Sequence, residues 1–288
     1  MARDSIARVD VLGVGVSVVT MQSAVAEVAR WIADGSRRYV CSTGVHGVME
    51  SQRDPELLRI HNESGLTLPD GIPMVWAGRF AGARRMARVY GPDFMLAVCR
   101  LAAEQGWSSY FYGGAPGVPE RLVRALEQRF PGLRVAGHES PPFRPLTDEE
   151  DAEVVDRINS SGPELVWVGL STPKQERWMA AHVERLRAPA VLLGVGAAFD
   201  LHAGLKRDAP RWMGPWGVHW LYRLAQEPRR LSRRYLVNNP RFAVSVIRRP
   251  PALRPPSGGA GRDERDQEPP AAASADGTPR ASRAARRS

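Results

Sequence analysis

Short apolar runs alternate with longer amphipathic ones along most of this 288-residue chain, and that alternation restricts the fold more than any other feature. VDVLGVGV (9–16), YVCST (39–43), LTLPDG (66–71), SSYFYGG (108–114), LRVAGHES (133–140), ELVWVGL (164–170) and AVLLGVGAAF (190–199) read as strands. Helical patterns lie between them. One follows Thr20, a candidate cap, through SAVAEVARWIADG; others are VMESQRD, PDFMLAVCRLAAEQG (92–106), VPERLVRALEQRFPG and KQERWMAAHVERL. TDEEDAEVVDRINSSG (147–162) opens with Thr147 and Glu150 at capping-box spacing. Strands and helices in this order imply βαβ units and a mainly parallel sheet. Ligands of such sheets bind at the carboxyl ends of the strands. The loops after residues 43, 68, 113, 170 and 199 are therefore where a site is expected.

Other classes of protein fall away on simple grounds. No apolar run approaches the ~20 residues of a membrane span. The N-terminus has no signal-peptide pattern. Two cysteines, Cys41 in a strand and Cys99 in a helix, make no disulfide framework; both read as buried thiols of a reduced, cytoplasmic protein.

Charge divides the chain. Residues 1–220 carry 25 basic and 25 acidic side chains, whereas residues 221–288 carry 15 basic and 6 acidic, which is the whole net charge of +9. The segment 223–254 alone holds nine arginines and one glutamate. A neutral body with a basic arm is suited to an anionic partner: a membrane surface, a nucleic acid or a phosphorylated substrate. From about residue 251 the sequence turns to Pro, Ala, Gly, Ser and charge, and 251–288 reads as a disordered tail. The division is then a body over 1–213, an appendage over 214–250 and the tail.

Several strand ends carry residues with chemistry to offer. GVGVS (13–17) has only part of the dinucleotide fingerprint and reads as a tight turn. Asp70 in LPDG is placed where a carboxylate can serve as general base. Gly113 and Gly114 open a turn into a helix N-terminus, a favourable place for phosphate. Lys174, one of two lysines in the chain (the other is Lys206), stands with Gln175 at the head of a helix. Asp200 follows the late strand, and His202 and His219 lack metal-ligand spacing and read as structural. No Asp-x-Asp occurs, so a nucleotide diphosphate would have to be neutralised by arginines rather than by a metal held on that pair.

Taken in order, VDVLGVGVSVVT, VHGVMESQRDPEL, LPDGIPMVWAGR, RVYGPDF, FYGGAPGV, PKQE, GVGAAFDLHAG with APRW, and WLYRLAQEPRRLSRRY resemble the WecG/TagA/CpsF glycosyltransferases over about residues 9–243. The resemblance implies an α/β fold with a Rossmann-like, mainly parallel sheet, helices on both faces and a basic C-terminal helical appendage. It implies an inverting, metal-independent enzyme without a cofactor. The donor would be a UDP-sugar, typically of N-acetylmannosamine type, and the acceptor a sugar on undecaprenyl diphosphate, in cell-surface polymer synthesis. The enzyme would sit peripherally on the anionic inner face of the cell membrane and would be able to form homo-oligomers. The general base would be Asp70, with Gln175 and Lys174 as substrate contacts. Gly113, Gly114 and Asp200 would lie at the UDP-binding loops, and Arg223, Arg230 and Arg233 at the leaving diphosphate. If 218–236 is one helix, spacings of 7 and 3 put those arginines on one face.

Three positions depart from the family pattern. Its Thr-x-Asn after the second strand, whose polar groups would help hold the sugar, is Ser42, Thr43, Gly44 here, which leaves Ser42 and Thr43 as the expected substrate contacts; its GLG is GLS at 169–171; its GLEW is GVHW, with His219 for Glu. A family member acting only as a scaffold, a basic-tailed nucleic-acid binder and an NAD-dependent oxidoreductase remain alternatives at this stage.

Overall fold

The computed structural model describes residues 6–210, 213 and 219–254. It begins with a departure from the sequence reading. The run 9–16 is not one strand but a hairpin of β1 (Arg8–Val11) and β2 (Val14–Ser17). Leu12 and Gly13 have φ of 55° and 92°, the left-handed pair that a two-residue hairpin loop needs. Gly13 N–H donates to Asp10 Oδ1 at 2.6 Å, so the GxG segment starts in this turn and runs on into β2 rather than forming a dinucleotide loop.

After α1 (Met21–Ala33), capped reciprocally by Thr20 and Ser23, the chain enters the main sheet. It runs β3 (Arg37–Thr43), α2 (Val45–Ser51), α3 (Pro55–Glu63), β4 (Leu66–Pro69), α4 (Ile72–Phe80), α5 (Gly91–Gln105) and β5 (Ser108–Gly113). It continues through α6 (Val118–Arg129), β6 (Arg134–Glu139), α7 (Asp148–Ser161), β7 (Leu165–Gly169), α8 (Lys174–His182), β8 (Ala190–Gly194) and α9 (Ala198–His202). Six strands pair in the order β4-β3-β8-β7-β5-β6, all parallel. This is the expected α/β sheet.

The inner strands β7 and β8 are apolar throughout because both of their faces are covered, whereas the edge strand β6 (RVAGHE) is partly exposed. Period-2 alternation sends successive residues to opposite cores. Phe111, Trp167 and Leu193 join one cluster with residues of α1, α5 and α6. Tyr110, Tyr112, Val166, Val168 and Leu192 join the other, with Val154 and Ile158 of α7 and Met179 of α8. Phe111 and Trp167 stack with centroids 6.3 Å apart, which adds about 1 kcal/mol beyond simple burial. Both Cys41 and Cys99 are buried thiols, as expected, and burial pushes both pKa values up.

The basic arm folds as two helices. The expected helix over 218–236 breaks: α10 (His219–Gln226) ends before Glu227, and Pro228 opens α11 (Pro228–Arg248). A residue before proline is steered out of the helical region, and Glu227 has φ −133°. Arg223 is therefore on a different helix from Arg230 and Arg233, and the single-face argument does not hold. Residues 252–254, read as part of the tail, instead form β9 (Ala252–Arg254), antiparallel to β1. The tail beyond, 255–288, lies outside the described residues. The arm is fastened to the body through a third core, in which Phe242 of α11 packs with β1, β2, Val48 and Met49 of α2, and Met74 and Ala77 of α4.

Candidate active site

A cleft of about 340 Å³ opens across the carboxyl ends of β3, β4, β7 and β8, and α10 and α11 close its far side. Ser42, Asp70, Gln175, Asp200 and Arg223, all singled out in the sequence, line it together.

Asp70 is held by backbone. Its N–H donates to Thr43 O at 3.0 Å, which ties the end of β4 to the end of β3. Gly71, at φ 134°, then turns the chain into α4. A Cβ at Gly91, the first residue of α5, would stand 3.8 Å from Asp70 Oδ2 and 3.5 Å from Ser42 Oγ. The carboxylate and that hydroxyl thus face the same helix start, and the Ser42 hydroxyl is buried with no protein partner. Thr43 is 1% exposed and does not line the cleft; its side chain lies beneath Gly47.

Gln175 sits in the first turn of α8 and is 3% exposed. Its Nε2 donates to Glu176 Oε1 at 3.0 Å, and Thr172 Oγ1 donates to the same oxygen at 2.9 Å. That leaves Gln175 Oε1 buried without a donor, beside Gly196, whose added Cβ would be 3.2 Å away. A buried acceptor left unsatisfied costs about 1–3 kcal/mol, which a hydroxyl or amide of a bound ligand would recover. Lys174, its neighbour, is exposed and does not line the cleft.

The glycine pair lies outside the cleft lining as well. Gly113 allows β5 to press on β7: a Cβ there would lie 2.7 Å from Gly169 C, and Gly114 N–H donates to Gly169 O at 3.1 Å. Gly169 does line the cleft, so the pair shapes one wall from behind.

Sequence reasoning gave no role in the cleft to Lys206, Arg88, Tyr90, Trp220 or Tyr235, all of which line it. Lys206 Nζ bridges Asp200 Oδ2 at 2.7 Å and Glu227 Oε1 at 2.9 Å, joining α9 to the arm. The rarity of lysine points equally to Lys174 and Lys206, and of the two only Lys206 lines the cleft. Arg88 lies with its guanidinium 4.4 Å from the Tyr90 ring centroid. Tyr90 donates to Asp208 Oδ1 at 2.9 Å, and burial, then the charges of Asp208 and Asp70, keep its phenol protonated far beyond the usual range. Trp220 and Tyr235 pair across α10 and α11 at 5.6 Å and complete the arm's side.

Arg230 and Arg233 fall on α11, but their side chains, like that of His219, lie outside the described residues. His202 is structural: Nε2 meets Pro92 O at 3.0 Å, and burial lowers its pKa. Among the described residues no three His, Cys, Asp or Glu side chains gather as a metal site.

A parallel sheet with a polar cleft at its strand ends, lined by Asp70, Arg88, Lys206 and Arg223 among others, is the architecture of an α/β enzyme that binds its ligand at the strand ends. Residues 9–255 match the model of the glycosyl transferase WecG/TagA/CpsF family, and the chain belongs to that family. It is a glycosyltransferase. Among its relatives is the N-acetylglucosaminyldiphosphoundecaprenol N-acetyl-beta-D-mannosaminyltransferase of Bacillus spizizenii, 27% identical over 199 residues, 69% of this chain and 74% of the relative. The enzyme of the same name from Staphylococcus aureus is 27% identical over 233 residues, 80% of this chain and 89% of the relative.

Proposed function

We propose that this glycosyltransferase moves an N-acetylmannosamine-type sugar from UDP to a sugar carried on undecaprenyl diphosphate, with inversion and without a metal. The relatives' names support the transferred sugar and the acceptor. The observation that carries the mechanism is the Asp70 carboxylate at the end of β4, facing the same cleft as Ser42, Gln175 and Arg223.

In this reading the acceptor hydroxyl gives its proton to Asp70 as its oxygen attacks the anomeric carbon. The bond from that carbon to the UDP oxygen breaks on the opposite face, and the diphosphate leaves with the electron pair. General-base assistance of this kind contributes about 10²–10⁴ in rate. Arg223 and Arg88 line the cleft and would offset the growing charge on the diphosphate, and Arg230 and Arg233 of α11 would add to them. The unsatisfied Gln175 Oε1 and the Ser42 hydroxyl would hold sugar hydroxyls or the N-acetyl group.

Attachment to the inner face of the membrane would be peripheral. Among the described residues no helix is long and apolar enough to cross a bilayer. Leu221 and Leu236 of the arm are exposed among its arginines, the composition of an interfacial helix.

The test is UDP release from a panel of UDP-sugars, with a short-chain lipid-diphosphate-GlcNAc acceptor, with and without EDTA. Acceptor-dependent release that survives EDTA is expected, and the best donor names the sugar. Release that EDTA abolishes would refute metal independence, and no UDP binding at all would refute the donor class.

A further inference from the structure

Helix α4 leaves the cleft directly from Asp70 and Gly71, and its two sides are unlike. Met74, Val75, Ala77 and Gly78 are buried, whereas Trp76 is 59% and Phe80 74% exposed. The turn that follows is anchored rather than loose. Ala83 N–H donates to Gly78 O at 2.8 Å, and Met86 packs against Gly78 so closely that any Cβ there would meet its sulfur. Buried Ala83 and Met86 thereby hold Arg84 and Arg85 outward, beside exposed Arg79. Residues 71–92 contain four arginines and no acidic residue. Arg79, Arg84 and Arg85 make no ion pair among the described residues.

We infer that α4 and the turn to Met86 form a second lipid-contacting element, separate from the C-terminal arm, that docks on an anionic bilayer. Charge complementarity names the occupant. Aromatic side chains of this kind settle at the headgroup boundary, and guanidinium groups beside them meet anionic lipid. Position supports the same occupant. Nine helical residues carry the chain about 13 Å from Asp70 to Phe80. A lipid-borne acceptor whose head lies at Asp70 would run back to the bilayer along this helix. That purpose rests on the proposed lipid-linked acceptor; the surface itself does not.

The third core ties this element to the arm. Met74 and Ala77 of α4 share it with Phe242 of α11, a helix that also exposes Val244 at 48% and Ile247 at 79%. Membrane contact at α11 and at α4 would therefore be made by one small rigid assembly.

Sedimentation of the full-length protein with vesicles tests the inference, using phosphatidylcholine alone and phosphatidylcholine with phosphatidylglycerol. The pair Trp76→Ser/Phe80→Ser is expected to bind both kinds of vesicle at least about tenfold more weakly. The triple variant Arg79→Gln/Arg84→Gln/Arg85→Gln is expected to lose about 10²-fold on the phosphatidylglycerol vesicles only, at about fivefold per arginine. Both variants should turn over a soluble short-chain acceptor at the wild-type rate, so failure of the transferase reading would show in that assay and not in this one. A further readout does not depend on multiple substitutions: nitroxide-labelled lipid should quench wild-type tryptophan fluorescence more than that of Trp76→Phe. Unchanged vesicle binding in both variants, or equal quenching, would overturn the inference. So would variants that split a dimer in lipid-free solution while vesicle binding stays intact, because the patch would then be a protein interface.

Discussion

A Cβ at Gly44 would lie 2.6 Å from the carbonyl oxygen of Asp70. Gly44 caps α2 and Asp70 follows β4, so the two strand ends meet backbone to backbone at the proposed general base. Position 44 is also where this chain lacks the family's Asn. Replacement by Ala or Asn must displace something, and the nearest atoms belong to Asp70. Gly44→Ala is expected to lower kcat between about 10- and 100-fold through misplacement of the carboxylate. Steady-state kinetics with fixed acceptor check this, and an unchanged kcat would show that the loop after β4 absorbs the strain.

Lys206 ties Asp200 to Glu227 and so the body to the arm. These pairs are partly exposed, and Lys206→Gln should cost under about 1 kcal/mol in urea unfolding. Its effect on kcat/KM should be disproportionate, about tenfold, because the arm that carries Arg223 loses its seat. Equal small effects on both quantities would argue that packing of the third core alone holds the arm.

Ser171 has φ 65° in the cleft wall, where the family pattern has Gly. A side chain in the left-handed region costs about 1–2 kcal/mol, so Ser171→Gly should raise stability by about 1 kcal/mol. Thermal unfolding reads this directly.

Burial lowers the pKa of both His61 and His202. A histidine depressed in the folded state takes up its proton first in the unfolded chain. Stability from this source is thus complete above the unfolded value, near 6.5, and is lost as pH falls from there toward the folded values. Urea midpoints should decline below pH 6.5, and the decline should be shallower in His61→Gln. His61 is fully buried against Leu57 O, at 2.9 Å from Nδ1, so the variant will also be less stable at pH 7; the slope is the test.

Much of this was legible before any coordinates. Alternation gave the sheet, because a parallel strand buried on both faces needs apolar residues at every position and helices between. Asp70, Ser42, Gln175 and Asp200 meet because all stand at strand ends or in first helical turns on one edge of that sheet, and Arg223 joins them from α10 of the arm. What was missed follows from forces with weak sequence signals. The hairpin at Leu12–Gly13 interrupts an unbroken apolar run, and Pro228 splits one amphipathic pattern into two helices. The partner of Asp200 could not be read either: it depends on how α9 turns toward the arm, and the choice between two lysines is settled only in three dimensions.

The central claim is that Asp70 takes the acceptor proton. Acceptor-dependent UDP release by wild type and Asp70→Asn tests it most directly, with circular dichroism and UDP affinity as controls for folding and donor binding. A fall in kcat of about 10²–10⁴ with UDP affinity unchanged is the predicted result. Wild-type turnover by a folded Asp70→Asn enzyme would contradict it and return the search for the base to the rest of the cleft.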